Sequence, residues 1–528
     1  MTKPANSSAV AASGDLPRVV AVIDVGTASI RMAIGEISGV ETIRTLETLT
    51  RPVAIGKDTF TTGKIERTTI EDCVQVLTSY QEVLNTYGIL EGRQLRCVAT
   101  SAVREASNKL SFVDRIYIAT GIQVEILDEA EVSRITFHGI QPTLSEEDLS
   151  ANRSVVVEVG GGSTEVLVVY RSQVEFSHTY NLGSLRLRET LGTLRMPVRQ
   201  QRQIMENQID RFVNQAIQQI PADNSTQTQI IALGGDCRFA AGHLVPNQVE
   251  ESLPTIPLEQ FNDFIDSLFQ LPVDEIVHAY HLTFPDAETL APALLTVLAF
   301  ARNLNTDKIH ISDVNLRDGL LQEMVNEGVW SRDFTDQVIN SALDIGRHYT
   351  VDENHALHVA HLSSVLFEAL QPQHRLDNRY GIMLQLASLL HEIGLFVGIA
   401  GYHKHTMYLI QNSELFGLSR RDLRIVAQVA RYHRRASPRP GHSGYASLSR
   451  EDRVIISKLA SILRVADGLD HSYSQRIREL RCELRQDKLI LSVDNIEDLS
   501  LEQIALKQSC SLFEETYGIS VLLRSTRL

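Results

Sequence analysis

One strand-and-loop pattern occurs twice in this chain, and that repeat restricts its possible folds more than any other feature. Residues 18–26, RVVAVIDVG, form an apolar, β-branched run that ends at Asp24-Val25-Gly26, and a second apolar run, SIRMAIGEI, follows. This predicts a strand, a tight turn and a return strand. Residues 154–170, SVVVEVGGGSTEVLVVY, keep the same order: valines, the acid Glu158, Val-Gly, a small polar loop and another apolar run. Asp24 and Glu158 hold equivalent places. Such duplication predicts two similar α/β lobes, each presenting a loop to a shared cleft.

Between the copies, TIEDCVQVLTSYQEVLNTYG and SFVDRIYIATG read as helices and QLRCVAT as a strand, while the polar stretch 141–153 reads as a surface connection. The second lobe is expected to close with a strand in DKIHISD and a helix opening at LRDGLLQEMV. From about residue 331 the periodicity becomes helical, and after about residue 478 alternation returns in DKLILSVDN and ISVLLR. At 528 residues the chain is too long for one hydrophobic core. The expected division is a disordered tail at 1–17, lobe I at 18–141, lobe II at 142–330, an all-α domain at 331–478 and a small α+β unit at 479–528.

Fifty Lys and Arg against 65 Asp and Glu give a net charge of −15, so a polyanionic partner needs a local basic site and a general nucleic-acid coat is excluded. The five cysteines never form a CxxC pair, which fits neither a disulfide framework nor a zinc knuckle. No uncharged apolar run approaches the roughly 18–20 residues of a membrane span; residues 291–301 are among the longest, and Pro292 interrupts them early. The N-terminal stretch lacks a continuous apolar segment of the secretory kind. A cytoplasmic protein that meets neither membrane nor nucleic acid is expected.

Small residues in Gly26-Thr27-Ala28-Ser29 and in Gly160-Gly161-Gly162-Ser163-Thr164 let the backbone approach a phosphate with N–H groups and hydroxyls as donors. Either loop alone also serves as a plain hairpin turn; the repetition, with an acid in register, favours a phosphate chain held between them. Asp24 and Glu158, each near the end of its strand, are placed to hold Mg²⁺ or its waters. Arg104, in ATSAVREASN after a strand, offers a planar, permanently charged donor for phosphate oxygens or, equally, an ordinary surface arginine.

ATSAVREA, VGGGSTE, LGSLRL, ISDVNLRDGLL, HEIGLF, YHKHTMYLIQNSELFGLS and RYHRR together resemble the exopolyphosphatase and guanosine pentaphosphate phosphohydrolase family, Ppx/GppA, from about residue 18 to about 525. The resemblance implies an actin-like pair of lobes of the acetate and sugar kinase/Hsp70/actin superfamily, then an HD-like helical domain and a small C-terminal unit. It also implies attack of water on the terminal phosphorus of inorganic polyphosphate or guanosine pentaphosphate, Mg²⁺ or another divalent cation as cofactor, and a homodimer. Carried over by position, Asp24, Gly26, Thr27 and Ser29 form the first phosphate loop, Arg104 a clamp, and Glu158 with Gly160 to Thr164 the second loop and metal site.

The chain departs from that family in three places. The first loop usually reads Gly-Ser-Asn-Ser, and Asp is usual where this chain has Glu158. The family's general base, the second Glu of a Glu-Glu-Ala helix, falls on Val132, which cannot deprotonate water. Glu131 sits one residue earlier, a rotation of roughly 100° on a helix. Three answers stay open: Glu131 turns inward, Glu165 serves as base, or a positioned water with metal support reacts slowly. A degenerate site that senses polyphosphate or a nucleotide without turnover is the alternative.

His358, His391-Glu392 and Asp467 are spaced like the metal ligands of HD phosphohydrolases, a pattern that a structural histidine cluster also satisfies. From His403 to Arg439 eight Lys and Arg meet two acids. This segment, with Lys404, Arg431, Arg434 and Arg435, is either a solvated helix face or a basic path along which long polyphosphate reaches the cleft.

Overall fold

The computed structural model describes residues 17–38, 42–89, 92, 94–144, 152–192, 198–220, 227–248, 253–325, 330, 332–413, 415–434 and 436–526. The expected tail up to residue 16, much of the expected connection between the lobes and Arg435 lie outside these residues. The chain divides into two compact units, Met1–Gly328 and Val329–Leu528.

The first unit contains the duplication. In lobe I, β1 (Arg18–Val25), β2 (Ser29–Ser38), β3 (Thr42–Pro52), β4 (Leu95–Ala99) and β5 (Val124–Ile126) form a sheet in the order β3-β2-β1-β4-β5. In lobe II, β6 (Arg153–Val159), β7 (Thr164–Tyr170), β8 (Gln173–Tyr180), β9 (Thr228–Leu233), β10 (Thr255–Pro257) and β11 (Lys308–Ile311) are ordered β10-β11-β9-β6-β7-β8. The run β3-β2-β1-β4 matches β8-β7-β6-β9. In each, an antiparallel meander ends on a strand that pairs in parallel with the next.

Strand periodicity explains why both faces of β1 are apolar. Ala21, Ile23 and Val25 pack with Leu77 and Tyr80, whereas Val20 and Val22 pack with Leu127, Val132 and Ile135. Leu320 and Leu321 join that second face. They belong to the helix Leu316–Val325, expected to close lobe II; it returns to lobe I, where Glu323 bonds to both Arg96 and Arg134. Covering the second face of β1 takes a further apolar helix, and the end of this unit supplies it.

The apolar run near 291–301 lies in one helix, Phe284–Asn303, which continues through Pro292. It is long and apolar enough to cross a membrane, but 72% of its 18-residue window is buried, where it forms much of the lobe II core.

In the second unit, helices include Glu353–Ala369, Arg379–Leu390, Tyr402–Gln411, Arg420–Arg431 and Arg450–Leu469. A three-stranded sheet follows, with β12 (Arg481–Arg485) antiparallel to β13 (Lys488–Asp494) and β14 (Ser520–Thr526) parallel to β13. The two apolar runs read from the sequence are β13 and β14, joined by helices Ser500–Ser509 and Ser511–Tyr517. β12 carries three charged residues in five, and its pattern gave no signal.

Candidate active site

Both repeated loops leave the carboxyl end of the equivalent strand. The Gly26 amide donates to the Ser29 carbonyl at 3.0 Å, and the Gly160 amide donates to the Ser163 carbonyl at 2.8 Å, so one bond closes both turns. The loops also approach each other closely, since a β-carbon on Gly161 would lie 2.8 Å from Thr27 Cγ2. The turn at Gly183 braces the second loop from behind. The Ser184 amide donates to the Gly160 carbonyl and the Arg186 amide to that of Gly161, both at 3.0 Å, and Arg186 Nε donates to the Gly162 carbonyl at 2.9 Å.

A cavity of about 360 Å³ lies between the lobes. Asp24, Gly26, Thr27, Ser29, Arg104, Glu158, Gly160, Gly161, Ser163 and Glu165 line it, as does Val132. Two residues assigned to phosphate binding face elsewhere. Thr164 is fully buried and its hydroxyl donates to the Leu182 carbonyl, because successive side chains of a strand point to opposite faces and Glu165 takes the cavity side. Gly162 is turned toward lobe I, where a β-carbon would lie 2.4 Å from Phe60 and 2.7 Å from Ser101 Oγ.

Glu131 is not among the lining residues either. Its carboxylate accepts the Asp128 amide at 2.9 Å while its own amide donates to Asp128 Oδ1 at 3.0 Å, a reciprocal cap on the helix Glu129–Leu144. The cavity face of this helix belongs to Val132. Of the carboxylates weighed as a base, Glu165 alone lines the cavity, with Thr136 Oγ1 3.5 Å from its Oε2.

Five lining residues of the charged set were not anticipated: Arg31, Arg238, Arg317, Asp236 and Asp286. Arg31 pairs with Asp24 across the β1–β2 hairpin, and Glu165 pairs with Glu158 across the β6–β7 hairpin. The duplicated position thus carries a cation in one lobe and an acid in the other. Arg238 follows Gly234-Gly235 at the end of β9, where Gly234 adopts φ 110°, a conformation that favours glycine. A strand ending in Gly-Gly was the available signal.

Electrostatically the cavity collects carboxylates in a low dielectric. Burial pushes the Asp24 and Glu158 carboxyls up. Glu165 is pushed up to about 8 by burial and then by the charge of Glu158, and Asp236 to about 7 by burial and then by Asp286. Buried Asp24 Oδ1 has no hydrogen-bond partner, and the Arg317 guanidinium stands 4.0 Å from the other oxygen. Asp24 and Glu158 therefore fit a divalent cation, whose charge would offset this crowding.

Arg104 sits on the short helix Ser101–Glu105 after β4, and its Nη1 donates to the Leu127 carbonyl at 3.1 Å.

In the second unit, the ring nitrogens and carboxylate that converge belong to His355, His391 and Asp467. His358, one helical turn from His355, is not in that group, and Glu392 accepts a hydrogen bond from the Tyr473 hydroxyl at 2.6 Å. Of the basic segment, Lys404 and Arg434 are exposed, with Arg434 over the Tyr402 ring at 4.9 Å. Arg431 is buried and donates to the Ser443 carbonyl at 2.7 Å, so it is not part of a surface path. Arg421 is spent on Asp452 at 2.7 Å.

Residues 33–327 match the Ppx/GppA phosphatase family, and residues 339–515 match the Ppx/GppA phosphatase, domain III. An exopolyphosphatase from Cytophaga hutchinsonii is similar at 22% identity over 59% of this chain and 99% of its own, with a TM-score of 0.51. An exopolyphosphatase-like protein is similar at 21% identity over 59% of this chain and 100% of its own, with a TM-score of 0.52. At that identity the two structures establish the fold, a pair of α/β lobes. With the family pattern covering more than half of the sequence and the duplicated loops facing one cavity, the chain belongs to the Ppx/GppA phosphatase family of phosphoanhydride hydrolases.

Proposed function

We propose that the first unit is an exopolyphosphatase that removes terminal orthophosphate from inorganic polyphosphate with Mg²⁺ or another divalent cation. The observation that carries this reading is the pair of matched loops, closed by the Gly26–Ser29 and Gly160–Ser163 bonds, over a cavity lined by four arginines. Phosphates lie against the Gly161 amide and the hydroxyls of Thr27, Ser29 and Ser163. Arg104, Arg31 and Arg238 offset the charge of the chain end. Asp24 and Glu158 would hold a divalent cation, which would further neutralise the reacting phosphoryl group.

The water oxygen forms a bond to the terminal phosphorus, and the bond from that phosphorus to the bridging oxygen breaks. The electron pair stays on the shortened chain. Glu165, in its ionised form, takes the water proton and returns it to the phosphate products, while the Thr136 hydroxyl helps to orient its carboxylate.

Val132 favours a second reading, a polyphosphate or nucleotide sensor that binds without rapid turnover. A third, guanosine pentaphosphate hydrolysis, draws on the apolar lining at Phe239, Leu282 and Leu290, which offers a surface to a base. The deciding experiment follows orthophosphate release from each substrate with Mg²⁺, for the natural chain and for Asp24→Asn. Release from polyphosphate that collapses in the variant supports the reading; tight binding without release sinks it. Lys404 and Arg434 extend the proposal to a phosphate-binding surface on the second unit, and a homodimer completes it.

A further inference from the structure

We propose that the second unit carries its own site for a first-row transition dication, held by Nε2 of His355, Nε2 of His391 and Oδ1 of Asp467. The three atoms lie within 4.8 Å of one another, and each imidazole nitrogen is 3.6 Å from Asp467 Oδ1. That separation is too long for a hydrogen bond. It is close to the roughly 3.4 Å between neighbouring donors around a tetrahedral ion with bonds of about 2.1 Å.

A second observation points the same way. Both histidines are fully buried, and their Nε2 atoms have no hydrogen-bond partner. Two such orphans are costly without a ligand. Their other nitrogens are fixed: Nδ1 of His355 lies 2.8 Å from Asp470 Oδ2, and Nδ1 of His391 lies 2.6 Å from the Ser388 carbonyl. A carboxylate and a carbonyl as acceptors place the proton on Nδ1 and leave the Nε2 lone pair for a metal.

The neighbours narrow the donor set. His433 uses both ring nitrogens, on the Ala430 carbonyl and the Tyr402 hydroxyl. Glu392 is engaged by Tyr473, whose ring stacks on His355 at 3.9 Å. His355 and His391 are closed to solvent, but the Asp467 side chain is 27% exposed, which leaves an entry and an open coordination position on that side. Two imidazoles and one carboxylate select Zn²⁺, Mn²⁺, Fe²⁺ or Co²⁺ over Mg²⁺.

The test uses the full chain with Asp24→Asn and Glu158→Gln, so that the cleft of the first unit does not contribute. Co²⁺ is added to protein stripped of metal, and visible absorption with Zn²⁺ competition reads affinity and donor type. One equivalent should bind, with the bands of nitrogen-ligated Co²⁺. His355→Ala should weaken binding by at least about tenfold, and Asp470→Asn by roughly 10- to 100-fold through the tautomer it sets. His358→Ala and Glu392→Gln should leave it unchanged. Circular dichroism and the rise in Tm on adding Zn²⁺ separate lost binding from lost folding. The assignment is overturned if the chain binds no Co²⁺, if affinity follows His358 or Glu392 instead of His355, or if a folded Asp470→Asn protein binds as tightly as its parent.

Discussion

Arg186 Nη2 of lobe II lies 2.7 Å from both carboxylate oxygens of Glu105 in lobe I, and the same guanidinium donates to the Gly162 carbonyl and covers Phe60 at 4.3 Å. One side chain thus joins the second glycine loop to the short helix that carries Arg104, and the two halves of the phosphate site share a brace.

If that brace positions the cleft, Arg186→Ala lowers kcat/KM for polyphosphate roughly tenfold, about the worth of one charge-assisted hydrogen bond. Arg186→Lys recovers only part, because an ammonium cannot span Glu105 and the loop carbonyl together. Steady-state kinetics on the three proteins, with Tm measured alongside, checks this. An unchanged kcat/KM with a lowered Tm would assign Arg186 to stability alone.

Val132 lines the cavity with no ionisable group, while Glu165, unlike Glu131, brings a carboxylate to it. Val132→Glu should raise kcat by at least about tenfold, and Glu165→Gln should lower it by roughly a hundredfold, the usual range for a general base. Single-turnover rates separate these effects from product release.

The duplicated lobes and loops were legible in the sequence because the pattern repeats and a strand ending in acid-Val-Gly allows few local structures. Three kinds of detail were not. Whether Arg31 and Glu165 face the cavity depends on hairpin pairing, which places them opposite Asp24 and Glu158. The choice between His355 and His358 depends on the rotation of one helix about its axis, since both sit on Glu353–Ala369. Leu320 and Leu321 gave no hint that their helix returns to lobe I, because an apolar stripe does not name the sheet that it covers.

Titration of Glu165 couples the cleft to pH. Its folded carboxyl is raised from 4.5 to about 8, so the stability it contributes is full below about 4.5 and is lost as pH rises toward 8. A cation that offsets the cavity's negative charge should reverse that loss. Mg²⁺ is therefore expected to raise Tm more at pH 8 than at pH 5, and Glu165→Gln should flatten the difference. Thermal unfolding at the two pH values, with and without Mg²⁺, reads it directly.

Glu323 fixes the returning helix through Arg96 and Arg134, all three largely buried. Burial raises its carboxyl, but the charges of Arg134 and then Arg96 outweigh that and hold it below its usual value. Removing its charge takes a shared carboxylate from Arg134 and Arg96, of which Arg96 keeps Glu125 at 3.2 Å, so Glu323→Gln should destabilise the first unit by about 3 kcal/mol in urea unfolding at neutral pH. Stability from this triad is present above the ordinary carboxyl range and lost as pH falls through the depressed value. The gap between the variant and the natural chain should close in acid.

The most direct test of the account is a time course of long-chain polyphosphate with the natural chain and Mg²⁺, following orthophosphate and the length of the remaining polymer together. Hydrolysis at the cleft predicts orthophosphate as the one small product, polymers that shorten from the end, and loss of both signals in Glu165→Gln. Bound polyphosphate of unchanged length, or internal fragments without orthophosphate, would contradict it.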